Sequence, residues 1–419
     1  MTNLAYATSA NLLCEKSDCV VEILRVPQIT LHAFCDTPEM IGTMERTVAD
    51  RRMSRAHAKV HPGGVGAALD LYRKTKSPNL VVIESRAAVH LHILLEALAV
   101  VCASGTKLIV IGYVNDVALY RDLLARGVSE YMVAPIDPIA MIAVIARLYQ
   151  NAGANKLGRS FAFIGAKGGV GSSTIAQNVA STMGRVYGCD VILADLDLAF
   201  GSASLGFNLD PTQSMAQALA DASRLDDVLL ARLLTKCEDH LSILAAPATL
   251  ERSYDLEERA FERVLDIAQS NVPFVVLDIP NVWTSWAKKT LLAADEVVIT
   301  AVPDLVSLRN AKNLVDQLKQ ARPNDAPPKL VLNQIGVPKR AEIKPDKFAA
   351  ALQIEPITCI PFEPSTVSAA ANNGQMIADV SARSALSKSF AKIAQTITGH
   401  TSANSSRTGK FAFSRLWRN

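Results

Sequence analysis

Phe161-Ala-Phe-Ile-Gly-Ala-Lys-Gly-Gly-Val-Gly-Ser-Ser-Thr174 is the stretch on which the fold turns. Phe161 to Ile164 reads as a buried strand, and Lys167, Gly168, Gly169, Val170 and Gly171 as a glycine-rich turn. Ser172, Ser173 and Thr174 then open a segment whose apolar spacing predicts a helix. Strand, glycine turn and helix together make a phosphate-binding loop: glycines let successive backbone N–H groups converge on an anion, and the helix start adds positive potential. A tight strand–helix turn without a ligand is the competing reading. The general pattern ends in Gly-Lys-[Ser/Thr]. Here Ser172 stands where that lysine belongs, and Lys167 lies ahead of the paired glycines.

Working outward, the second strand expected after the loop is Val191 to Ala194, ending in Asp195-Leu-Asp197. Acids at a strand's carboxyl end face the ligand crevice of an α/β sheet. A helix cap plus a surface acid is the plainer account of the same pair. Phe274 to Leu277 followed by Asp278 repeats the pattern. Lys329 to Leu332 should be a strand ending in Asn333, and Ile357 to Ile360 another, running into Pro361 and Phe362. Helices are predicted over Tyr254–Gln269, Leu305–Leu318 and Ser381–Ile397, and further helical segments over 201–240.

The run Lys167-Gly-Gly-Val-Gly-Ser-Ser-Thr174 resembles the deviant phosphate loop of the MinD/ParA ATPases. That resemblance implies ATP and Mg2+ as cofactors, and a homodimer that forms on ATP binding. Lys167 would cross to the partner's nucleotide, and Gly168 to Thr174 would cradle the phosphates. Ser173 would ligate the metal directly, while Asp278 and Asp195 would hold it through its water shell. Asp197 would orient the attacking water. Asn333, Pro361 and Phe362 would form the adenine side. As a turn residue, Asn333 would instead simply end a strand. Ile279 and Asn281, flanking Pro280, depart from the family's second switch.

Ahead of this lies a second regular alternation. Strands are expected at Ile29–Phe34, Ala56–Val60, Asn79–Ile83, Lys107–Ile111 and Tyr131–Val133, with helices between them and a closing helix at Ile139–Leu148. Five βα units predict a doubly wound parallel sheet. The pattern resembles a response-regulator receiver, but its chemistry is replaced. Cys35 and Asp36 stand at the acidic cluster, Glu84 at the acceptor, Gly112 at the hydroxyl position, and Ala134 before Pro135 at the lysine. The resemblance therefore implies a pseudo-receiver, a docking module. The expected organisation is a leader over 1–28, the pseudo-receiver over 29–150, a linker over 151–159, the ATPase domain over 160–398 and a tail over 399–419.

The fold class expected is thus α/β, two doubly wound sheets, one flavodoxin-like and one of the P-loop NTPase type. A net charge of +3 on 419 residues gives no argument for nucleic acid. The seven cysteines are scattered without a Cys-x-x-Cys pair, which excludes a zinc ribbon and a disulfide framework and fits a cytosolic protein. No secretory signal and no bilayer-spanning run is evident. The tail from Thr401 to Asn419 holds four basic groups and no acid. Phe413, Leu416 and Trp417 would share a helical face able to lie on an inner-membrane surface. A disordered end, or a helix docked on its own domain, are the other readings.

The pairing of pseudo-receiver and deviant-loop ATPase resembles the CpaE/TadZ group, which positions Flp/Tad (type IVb) pilus machinery. It implies pilus or secretion components or a polar marker as partners, and a place at the cytoplasmic side of the membrane, at a pole. With Ser172 in place, hydrolysis is expected to be weak. A non-hydrolysing nucleotide-binding scaffold and a ParA-type DNA partition ATPase are the rival functions.

Overall fold

The computed structural model describes residues 26–86, 91–149, 157–220, 224–250 and 253–400. The basic, aromatic tail and residues 1–25 of the expected leader lie outside the described residues. Val26 is fully buried and its N–H donates to the Arg52 carbonyl, so the described end of the leader is part of the first domain.

Five strands form the first sheet: β1 (Thr30–Cys35), β2 (His57–Pro62), β3 (Leu80–Glu84), β4 (Lys107–Gly112) and β5 (Glu130–Val133). They run parallel in the order β2-β1-β3-β4-β5. That is the flavodoxin-like order, with the reversal beside β1. The central β3 is buried along its whole length, as a strand covered by helices on both faces must be. Thr37 caps the first helix, Pro38–Ala49, by accepting from the Met40 N–H.

Eight strands form the second sheet: β6 (Arg159–Gly165), β7 (Val191–Asp195), β8 (Thr235–Glu238), β9 (Leu241–Leu244), β10 (Phe274–Ile279), β11 (Glu296–Ala301), β12 (Lys329–Ile335) and β13 (Pro356–Pro361). Their order is β13-β12-β11-β6-β10-β7-β9-β8, parallel except where β8 pairs antiparallel with β9. Two apolar layers sandwich the sheet, one under helix Leu305–Ala321 and one under helices Ser172–Tyr187 and Ala385–Thr398. Both sheets of the expected α/β fold are therefore present.

The differences from expectation are local. The helix predicted from Tyr254 begins only at Glu262 and ends at Asn271, because the acid-rich stretch before it forms a turn. The last helix starts at Ala385, where Ser384 supplies a cap by accepting from the Ser387 N–H. The region 201–240 has short helices but also the edge strand β8, whose polar sequence hides it. Arg159, placed in the expected linker, opens β6.

The sheets meet through residues that precede strands, so they abut at their amino ends. Arg51 pairs with Asp325 at 2.6 Å and Asp295 at 3.1 Å. Arg52 pairs with Asp50 and Asp325, Arg55 with Asp266, and Asn324 donates to Asp50. Burial alone would raise the Asp325 carboxyl, but the charges and hydrogen bonds of Arg51 and then Arg322 hold it down to about 2. The carboxyl ends of the two sheets therefore point away from each other.

Candidate phosphate site

β6 delivers the chain into the loop Ala166–Gly171, and helix Ser172–Tyr187 leaves it. Gly169 and Gly171 have φ of +77° and +85°, the left-handed region that a side chain resists. A Cβ on Gly171 would also come within 2.6 Å of the Asn333 amide nitrogen. The turn thus needs glycine on two counts. Ser172, the first residue of the helix, is 9% exposed, and its hydroxyl has no hydrogen-bond partner among the described residues. A buried polar atom without a partner is unusual and marks a place where a ligand oxygen would be satisfied.

Lys167 is engaged within its own chain. Its ammonium lies 2.5 Å from Asp304, whose other oxygen caps helix Leu305–Ala321 by accepting from Ser307. Partial burial would raise the Asp304 carboxyl, but the Lys167 bond and the cap hold it below the ordinary range. Asp304 followed from no sequence expectation. Its signal was available, an acid directly after a strand and before an apolar helix.

Asp195 and Asp278 are register partners on adjacent strands, and both are buried. Asp195 accepts from the N–H groups of Asp197 and Ala203, and Asp278 bonds the Ser173 hydroxyl. Burial, then the charge of the neighbouring acids, pushes the Asp278 carboxyl upward; burial likewise pushes Asp195 up against its backbone donors. Such a pair favours a cation beside it. Among the described residues no cluster of three or more His, Cys, Asp or Glu side chains could hold a metal. Mg2+ needs no such cage, because it binds through one or two carboxylates together with substrate phosphates and water. Ser173, Asp278 and Asp195 fit that requirement. Asp197 is half-buried, and its carboxylate caps the next turn through the Phe200 N–H.

Asn333 sits at the loop as well, but both ends of its amide are used within the protein. Its nitrogen donates to the Val170 carbonyl at 2.8 Å and its oxygen accepts from the Gln334 N–H. Pro361 and Phe362 lie next to it, since Ile335 pairs with Pro361 and the Phe362 N–H donates to the Ile335 carbonyl. The fold brings Lys167 to Thr174, Asp195, Asp278, Asn333, Pro361 and Phe362 to one edge of one sheet.

Known proteins resemble this second domain. A family model described as an AAA domain matches residues 158–330. A ParA family ATPase structure from Chlorobium tepidum is 26% identical over 57% of this chain and 98% of its own, with a TM-score of 0.51. The second domain is thus similar to ParA/MinD-type ATPases in sequence and fold. The septum site-determining protein MinD of Bacillus subtilis is 24% identical over 43% of this chain, and the match spans 66% of that relative's length. A pilus assembly protein CpaE structure from Caulobacter crescentus is 47% identical over 30% of this chain and 98% of its own, with a TM-score of 0.30. Within this domain, Ser172 departs from the general phosphate-loop pattern.

Proposed function

We propose that this chain is an ATP-binding, dimerising positioning protein for pilus assembly and secretion machinery of the Flp/Tad kind, with slow ATP hydrolysis. The observation that carries the reading is the phosphate loop facing the buried Asp195–Asp278 pair, with Ser173 between loop and acid. The N–H groups of the loop and the start of helix Ser172–Tyr187 would receive the phosphates. Bound magnesium would supply neutralisation of the charge on the β- and γ-oxygens. Ser173 and Asp278 would hold that ion, with Asp195 behind them, and Asp197 would turn a water toward the γ-phosphorus. Lys167 would leave Asp304 to reach a partner's nucleotide, so dimerisation would have to break a charged pair. Asn333, once released from Val170, would face the base with Pro361 and Phe362.

The pilus assignment is supported by the combination in one chain. The first sheet has the receiver strand order but fills its acid site internally. The Glu84 carboxylate accepts from the N–H groups of Asp36 and Thr37 at 2.7 and 2.9 Å, from the Thr37 hydroxyl at 2.8 Å, and from Tyr113. A domain sealed in this way suits docking to a polar marker or pilus component, not phosphoryl chemistry. Among the described residues no helix is long and apolar enough to cross a membrane; membrane contact, in this reading, falls to the tail.

Ser172 in place of lysine and the occupied Lys167 favour one rival, a scaffold that binds nucleotide without turnover. Phosphate release by purified protein, beside an Asp197→Ala variant, separates the two. The proposal expects a slow release that the variant lowers at least tenfold, a modest share of what a positioned base contributes. Equal rates would leave the scaffold.

A further inference from the structure

The loop that lacks its lysine is held from outside by four side-chain amides. The Asn281 amide donates to the Gly165 carbonyl at 2.7 Å, and Asn310 to the Ala166 carbonyl at 2.9 Å. Gln334 donates to the Gly169 carbonyl at 3.1 Å, and Asn333 to the Val170 carbonyl at 2.8 Å. The four come from three places: the turn after β10, helix Leu305–Ala321, and the end of β12, which supplies both Asn333 and Gln334, the latter with a φ of +53°. They grip the loop from its first and last residues and leave Lys167 and Gly168 between them.

A peptide unit is planar and trans, so a carbonyl fixed on one side turns the following N–H to the other. The tethers therefore set the N–H groups of Lys167, Val170 and Gly171 away from the amides. The Ala166 N–H is already taken by the Thr300 carbonyl. Donation to a carbonyl also polarises its peptide and strengthens the attached N–H as a donor. A loop that must hold an anion without the lysine depends on those N–H groups, and the orphan Ser172 hydroxyl marks where the side-chain donor was replaced.

We infer that Asn310 and Gln334 are positioning residues for a polyphosphate: they fix and polarise the N–H groups of Lys167 and Val170 in place of the lysine absent at Ser172, while Asn281 anchors the start of the loop. The inference rests on the proposed reading that this loop binds phosphates. It assigns a role to Asn310 and Gln334, to which no sequence motif points.

The test uses the full chain with three probes and Mg2+: ADP, a non-hydrolysable ATP analogue, and tripolyphosphate, which has no base or sugar. Asn310→Asp and Gln334→Glu keep the side-chain size but turn the donor into an acceptor facing a carbonyl. Each is expected to weaken all three probes about five-fold, and the pair together about twenty-fold, as for lost neutral hydrogen bonds. Ser172→Lys in the doubly substituted chain is expected to recover most of that affinity, since a lysine reaches the phosphates directly. Recovery is a readout that mere loss of folding would not give. Unchanged tripolyphosphate affinity in both variants would overturn the inference, as would failure of Ser172→Lys to recover it, and either would leave nucleotide binding standing. No binding of any probe by the unsubstituted chain would remove the proposed function itself.

Discussion

Each of the two sheets carries an acid at the carboxyl end of a central strand, and the two acids are treated in opposite ways. Glu84, ending β3, is buried but surrounded by donors. Burial would raise its carboxyl, yet the bonds from Tyr113, Thr37 and Asp36 bring it below the ordinary range. Asp278 in β10 is buried beside another acid and is pushed the other way. One site has been closed by the protein's own hydrogen bonds. The other resists ionising until something else brings positive charge beside it. The same topology thus provides a crevice in both places, and the donors around the acid decide whether it is filled from within.

That contrast can be broken most severely at Glu84. Glu84→Ala leaves donors of Asp36, Thr37 and Tyr113 without their acceptor. We expect a loss of about 4 kcal/mol in denaturant unfolding followed by circular dichroism, the cost of orphaning several buried donors. Nucleotide affinity should be unaffected, because the site lies in the other sheet. A loss below about 1 kcal/mol would mean that the internal bonds do not seal the first site.

The seam between the sheets comes next in size. Arg51→Ala strands Asp295 and Asp325 with less positive charge and should cost about 3 kcal/mol, as for breaking a buried pair. The same contact predicts an acid dependence. Asp325 is depressed to about 2, so its contribution is present above the unfolded carboxyl value and disappears as pH falls from about 4 towards 2. It amounts to roughly 2 kcal/mol at neutral pH, and an acid titration of Arg51→Ala should show a flatter profile than the parent. Parallel profiles would rule this out.

The smallest effect has the opposite sign. Asp278→Asn removes a buried carboxyl that burial and Asp195 push away from its ionised form, and should stabilise the ligand-free protein by about 1 kcal/mol. The same change should weaken magnesium-dependent ADP binding, read by calorimetry with and without the ion. Destabilisation would show that Asp278 is already balanced and that the second site is closed like the first.

Much of this was legible in the sequence because it is local. Apolar runs ending in an acid gave β7 and β10, and the glycines gave the loop, since a backbone turned to positive φ admits few other residues. β8 was missed because Thr235-Lys-Cys-Glu238 has no apolar alternation and is held at the edge by pairing with β9. The start of the helix at Glu262 was missed because the acids before it fit a helical pattern without a cap. The partners of Lys167 and of the loop carbonyls were out of reach for a different reason. Lys167 and Asp304 lie 137 positions apart, and Asn281 and Gly165 lie 116 apart. Periodicity carries no information about which distant side chain arrives beside a turn. Asn333 was placed at the right edge, while its bond to Val170 depends on how closely β12 approaches the loop.

The meeting of the sheets at their amino ends has a mechanical consequence. Whatever grips the far edge of the first sheet stands on the other side of the molecule from whatever the glycine loop holds. One route between them runs along the strands and across the Arg51 joint, which touches Asp295 and, through the bond of Asp295 to Ser160, the first residues of the very strand that feeds the loop. The chain is built like a balance beam, with its pivot made of arginine and aspartate.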